Sequence, residues 1–139
     1  MKKLISTNYS PAMFNMAIFL LRLVFGVLIM KHGYDKLVHF SEIIANKDSF
    51  KINFLNLGKT TSLLLTVFAE FFCGLFILLG LFTRLASIPL IICMAFALFK
   101  VHNGDIFGDG ASATLYLGAF LVLLMIGPGK ASVDGISGK

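Results

Sequence analysis

The chain has 139 residues, the length of a single domain. Hydrophobic residues make up 58% and charged residues 14%, against roughly 45–50% and about 25% in a soluble domain, and mean hydropathy is +0.90, so a water-soluble globule is excluded. The formal charge of +5 does not mark a nucleic-acid binder, because the basic residues fall between apolar runs, where lysines meet lipid headgroups.

Taken in chain order, Lys2 and Lys3 before an apolar run mimic a signal peptide. The run is long, however, over 12–30, and it contains Arg22. It is followed by Lys31, His32, Gly33 and Tyr34 rather than a small-residue cleavage site. A retained first span is therefore expected, with Pro11 at its N-terminal position. A connection of about thirty residues follows. In it Leu37, Phe40 and Ile44 share a helical face, which predicts a short interfacial helix from Asp35 onwards. Beyond it Phe50, Ile52 and Phe54 alternate with Lys51 and Asn53, which predicts an extended stretch.

The second span is expected over 61–82 and the third over 84–101, with Pro89 in its first turns. A tight hairpin at Thr83 and Arg84 joins them. The fourth, over 111–126, stops at Gly127-Pro128-Gly129. Each approaches the ~20 residues that cross a ~30 Å hydrocarbon core. Open sheet edges are not satisfied in lipid, so the fold class is all-α: an integral membrane four-helix bundle forming one domain over 1–139. Four spans put both termini on one side. Lys2, Lys3, Arg84, Lys130 and Lys139 lie there, against Lys31, Lys36, Lys47, Lys51, Lys59 and Lys100 opposite. The counts are nearly tied, and Arg84 in its tight turn, with Lys2 and Lys3, favours cytoplasmic termini.

Arg22 and Glu70 are charged residues inside apolar spans. Measured from the expected ends at Ala12 and Phe82, they lie about 15 Å and about 18 Å from the same side. That depth predicts an Arg22–Glu70 ion pair in the bundle interior, since an isolated charge there costs about 2.5–3.5 kcal/mol. Asn15, Thr66 and Cys73 extend it as a buried polar seam. The seam serves either to hold helix register or to relay protons and bind a polar ligand.

Cys73 and Cys93 come out level on adjacent helices, as small packing residues or as a redox pair. At the other mouth lie His32, Lys36, His102, Asp105 and Asp109, with His39 nearby. Their spacing is not specific for a metal, and none is assigned. Gly104, Gly108 and Gly110 read as turn residues, not as a phosphate loop.

Five stretches in order resemble the DoxX family of small four-helix membrane proteins. They are Leu21-Arg22-Leu23-Val24-Phe25-Gly26, His32-Gly33-Tyr34-Asp35-Lys36-Leu37, Ala69-Glu70-Phe71-Phe72-Cys73-Gly74, Leu79-Gly80-Leu81-Phe82-Thr83-Arg84-Leu85-Ala86 and Gly127-Pro128-Gly129-Lys130-Ala131-Ser132-Val133-Asp134. The resemblance implies a bacterial inner-membrane bundle, with Arg22 and Glu70 as family features and a link to quinone or thiol redox chemistry. Many members carry an acidic residue at the start of the fourth span. Here Gly110-Ala111-Ser112-Ala113-Thr114-Leu115-Tyr116 has none.

The function expected first is a membrane subunit or anchor of a redox complex, with quinone as the candidate cofactor and membrane or peripheral redox subunits as partners. The alternatives are a small oxidoreductase or carrier of a lipid-soluble substrate at the Arg22/Glu70 seam, and a transporter built as a homo-oligomer.

Overall fold

The computed structural model describes residues 1–46 and 53–138. Helix α1 spans Pro11–Val38. The Ser10 hydroxyl caps it by accepting from the Met13 amide at 3.1 Å, and Pro11 takes the first turn. Its 28 residues measure about 42 Å, more than a ~30 Å core requires. The interfacial helix expected from Asp35 is therefore divided. Asp35 to Val38 prolong α1, and a short α2, Phe40–Ala45, follows the break at His39. The expected extended stretch at Phe50, Lys51 and Ile52 lies outside the described residues. Phe54–Asn56 form a 3-10 turn.

The second span, α3, covers Lys59–Leu79 and the third, α4, Thr83–Val101. Each contains a π-helical stretch, Phe68–Cys73 in α3 and Ala97–Val101 in α4. The fourth, α5, covers Ala111–Ile126, and a last turn, α6, covers Val133–Ile136. Among the described residues three helices are long and apolar enough to cross a membrane, and α5 is a shorter apolar helix. Among the described residues there is no strand. The expected all-helical bundle of four apolar helices is the observed architecture.

The α3–α4 hairpin is tight because α3 ends on a left-handed glycine. Gly80 has φ 71°, its amide donates to Ile77 O at 3.1 Å, and the Leu81 amide donates to Phe76 O at 2.9 Å. This double closure satisfies helix-end carbonyls in a Schellman turn. Phe82 then takes φ 48° before α4 begins. Elsewhere the hydroxyls of Thr66, Ser87 and Thr114 donate to the carbonyls of Ser62, Thr83 and Gly110, four residues back. Such bonds keep a hydroxyl satisfied where lipid offers no partner. The apolar core holds Ile29, Ile77, Leu90, Leu98, Phe120 and Leu123.

Small residues set how α1 meets α3. A Cβ on Gly33 would lie 2.5 Å from the Phe71 amide nitrogen and 2.8 Å from the Glu70 carbonyl carbon. One on Gly26 would lie 3.1 Å from the Leu78 nitrogen, and one on Gly74 would lie 2.9 Å from Ile29 Cγ2. Close approach over small residues is how helices associate in lipid, where apolar side chains gain nothing by leaving it. The contact also fixes the vertical register. Glu70 is level with Gly33, and Gly80 is level with Arg22, whose guanidinium occupies the space a Gly80 Cβ would take.

Candidate functional site

The register separates the two charges that the sequence pairs. Arg22 and Gly33 are eleven residues apart on α1, which is about 16 Å along the axis. The expected Arg22–Glu70 ion pair is therefore absent, and each residue has another partner. Equal depth for Arg22 and Glu70 requires Ala12 to lie level with Phe82. In the fold α1 runs some three turns beyond the hairpin, and that offset is what separates the two charges.

Glu70 stands on the π-helical stretch of α3, near the middle of the helix. Its Oε2 accepts from Lys36 Nζ at 2.6 Å. The Glu70 side chain is 6% exposed and that of Lys36 is 25% exposed. A π turn carries one extra residue per turn and re-aims the side chains on it, and such turns recur at functional sites. Lys36 reaches Glu70 because helical side chains slant towards the N-terminus, over the turn that Gly33 leaves bare. Lys31 and Asp35 form a second ion pair on the exposed face one turn away.

The surroundings of the pair are polar for a bundle core. Thr66 and Cys93 lie beside it, and Cys93 is within electrostatic reach of Glu70, Lys36 and Cys73. Tyr116 of α5 is within reach of Glu70 as well. Its ring takes His32 edge-on at 5.9 Å and Phe25 edge-on at 5.6 Å, and stacks on Phe120 at 6.0 Å. Cys73 and Cys93 are both buried free thiols.

Arg22, 1% exposed, is held by the C-terminal segment. Its Nη1 donates to Pro128 O at 2.9 Å and to Ala131 O at 3.0 Å, and its Nη2 donates to Ala131 O at 2.7 Å. Asp134 attracts it without a direct contact. The Asp134 amide donates to Gly80 O at 3.0 Å, and its Oδ2 accepts from the Thr83 amide at 3.3 Å. Asn15 belongs to the same group, because its Oδ1 accepts from the Lys130 amide at 2.9 Å. The expected seam is thus two clusters, Asn15 with Arg22 at one level and Thr66, Glu70 and Cys73 at another.

The residues expected at the outer mouth are not drawn together. His32 packs on Tyr116 and Lys36 turns inward to Glu70. Asp105 closes its own loop, with Oδ1 accepting from the Gly108 amide at 3.0 Å. His102 ends the π turn of α4, and Asp109 is exposed. Among the described residues no three His, Cys, Asp or Glu side chains converge as a metal site.

Sequence reasoning missed Tyr116 and the clamp on Arg22, and put Lys36 in the wrong group. A signal for Lys36 was present. Ile18, Arg22, Gly26, Ile29 and Gly33 form the buried stripe of α1, at spacings of four, four, three and four, and Lys36 continues it at three. Residues so spaced share one helix face.

This arrangement defines a small multi-pass membrane protein with a lysine–glutamate pair inside its bundle. The family model for DoxX matches residues 17–103. That stretch is more than half of the chain and includes Arg22, Lys36, Glu70 and both cysteines. The chain belongs to the DoxX family. No curated protein and no solved structure matches it. The clamp on Arg22, from Pro128 to Asp134, lies outside the matched stretch.

Proposed function

We propose that this chain is a membrane subunit of a quinone- or thiol-linked redox assembly in a bacterial cytoplasmic membrane, with its termini in the cytoplasm. The observation that supports the reading is the Lys36–Glu70 pair beside Tyr116, His32 and two thiols. In a low-dielectric interior an ammonium and a carboxylate 2.6 Å apart form a pair with no net charge, the form in which buried charges persist. Reduction of a quinone or a disulfide at membrane depth takes up two protons with two electrons. A paired, half-buried lysine and glutamate offer a route for those protons without leaving a lone charge in lipid. The electrons come from a redox partner subunit.

Orientation follows from charge. On the mouth side, Lys31 and Lys36 are each tied to a carboxylate. On the terminal side, Lys2, Lys3, Arg84 and Lys130 have no carboxylate partner among the described residues, which supports reading that side as cytoplasmic.

The test is isolation from native membranes in mild detergent, with identification of co-purifying chains and an optical spectrum. A partner in fixed stoichiometry that carries a flavin, haem or iron–sulfur absorption is the expected result. A lone homo-oligomer without a chromophore refutes the subunit reading and favours the carrier or transporter alternatives.

A further inference from the structure

Three cavities follow one another along the α3–α4 hairpin, each sharing wall residues with the next, and the first of them lies between the hairpin turn, Asn15 of α1 and the C-terminal segment. The first, about 670 Å³, lies at the hairpin end and is walled by Thr83, Arg84, Lys130 and Asp134. It shares Phe82 and Leu85 with a second, of about 230 Å³, which has Cys73 in its wall. That one shares Phe68 and Pro89 with a third, of about 390 Å³, which has Cys93 in its wall and ends at Leu55 and Leu57. Between Arg84 and Phe96 the groove follows twelve residues of α4, about 18 Å. It is polar at the hairpin end and apolar over the rest of its length.

The groove has a structural cause. Ala69, Cys73, Ala86 and Cys93 present small side chains along the α3–α4 contact, each at most 4% exposed. Phe68, Leu85 and Ile92 rise on its banks at 50%, 68% and 49% exposure. Pro89 inside α4 adds a ring where a straight helix would present a longer side chain.

We propose that this groove holds one anionic glycerophospholipid with a hydroxylated headgroup, of the phosphatidylglycerol type. One acyl chain lies along the apolar stretch and the phosphate sits at Arg84 and Lys130. Charge complementarity decides the occupant. The polar end carries Arg84 and Lys130 against Asp134, with the Arg22 guanidinium just behind, so its balance is positive. Basic pockets between membrane helices select anionic headgroups in this way. The wall also contains two buried polar atoms that lack hydrogen-bond partners, Thr83 Oγ1 and Asp134 Oδ1. A phosphate accepts from the first and a headgroup hydroxyl donates to the second. The site does not depend on the redox reading.

Lipid retention tests the proposal. The full chain is purified in detergent, delipidated, supplied with phosphatidylglycerol or phosphatidylethanolamine of equal chain length, and weighed by native mass spectrometry. One phosphatidylglycerol per chain is expected, held more tightly than the ethanolamine lipid. Lys130→Gln weakens it about fivefold, the equivalent of one lysine near a headgroup. Leu85→Trp, at an exposed position where the first two cavities join, displaces it while the helical content and melting temperature stay unchanged. Absence of a retained lipid, equal retention of the two lipids, preference for the ethanolamine lipid, or retention indifferent to both variants would each overturn the proposal.

Discussion

The lysine–glutamate pair offers the sharpest test of the register. Removing one partner of a buried ion pair costs about 3–5 kcal/mol, because the other charge is left without compensation. The two halves of this pair are not equivalent. Glu70 is 6% exposed and held in the middle of α3, whereas Lys36 is 25% exposed and stands near the end of α1. After Glu70→Gln the ammonium can swing towards the interface, as lysines near helix ends do, so the cost falls to about 1–2 kcal/mol below the range for a trapped charge. After Lys36→Met the carboxylate stays buried without its partner, so the cost is about 3 kcal/mol. The double variant replaces the pair with neutral groups of similar shape and should recover most of the loss, which corresponds to a coupling energy of about 3 kcal/mol, the upper end of the range for contacting residues. The assay is reversible unfolding in mixed micelles, followed by far-ultraviolet circular dichroism. Arg22→Met combined with Glu70→Gln is the control. Those residues are about 16 Å apart by helical rise, so their effects add to within about 0.5 kcal/mol. Additive effects for Lys36 and Glu70, with coupling between Arg22 and Glu70, would refute the register.

Four further outcomes follow from particular contacts. Gly33→Ala drives a methyl into the backbone at Glu70 and Phe71 and should destabilise the bundle by about 1–3 kcal/mol, typical of overpacking, read in the same unfolding assay. Gly80→Ala forces a left-handed alanine against Arg22 and Ser132 and should cost at least the ~1 kcal/mol of the backbone strain. Thiol titration in detergent should find Cys73 and Cys93 both reduced and slow to alkylate until denaturant is added, since they are 3% and 4% exposed. Ser10→Ala removes the α1 cap and should lower stability by about 1 kcal/mol, seen as a lower melting temperature with unchanged helical content at 20 °C or below.

Helix number and the end of the fourth span were legible because lipid imposes length and apolarity on every crossing segment. Ala111–Ile126 is bounded by Gly110 and Gly127, and both pattern and fold stop there. The offset between helices was not legible from hydropathy. An apolar run fixes how far a helix extends, but nothing in it says which residue of one helix lies beside which residue of the next. That information was in the glycines. Gly26, Gly33 and Gly74 mark where α1 touches α3, and that contact sets Glu70 beside Gly33 and out of reach of Arg22. The role of the C-terminal segment was hidden for a different reason. Pro128 and Ala131 act through backbone carbonyls, which every residue possesses, so their side chains carry no sign of it.

The clamp on Arg22 has a bearing on how the protein is made. The arginine enters the membrane with the first helix, yet the carbonyls that receive it lie 106 and 109 residues later in the chain. Until the ribosome has released that segment, the guanidinium lacks the three hydrogen bonds it makes in the complete fold. These acceptors follow the fourth apolar helix, Ala111–Ile126, so the contact closes only after all four have been made. A chain cut after Ile126 keeps all four apolar helices yet leaves the Arg22 guanidinium without the carbonyls that receive it in the full chain.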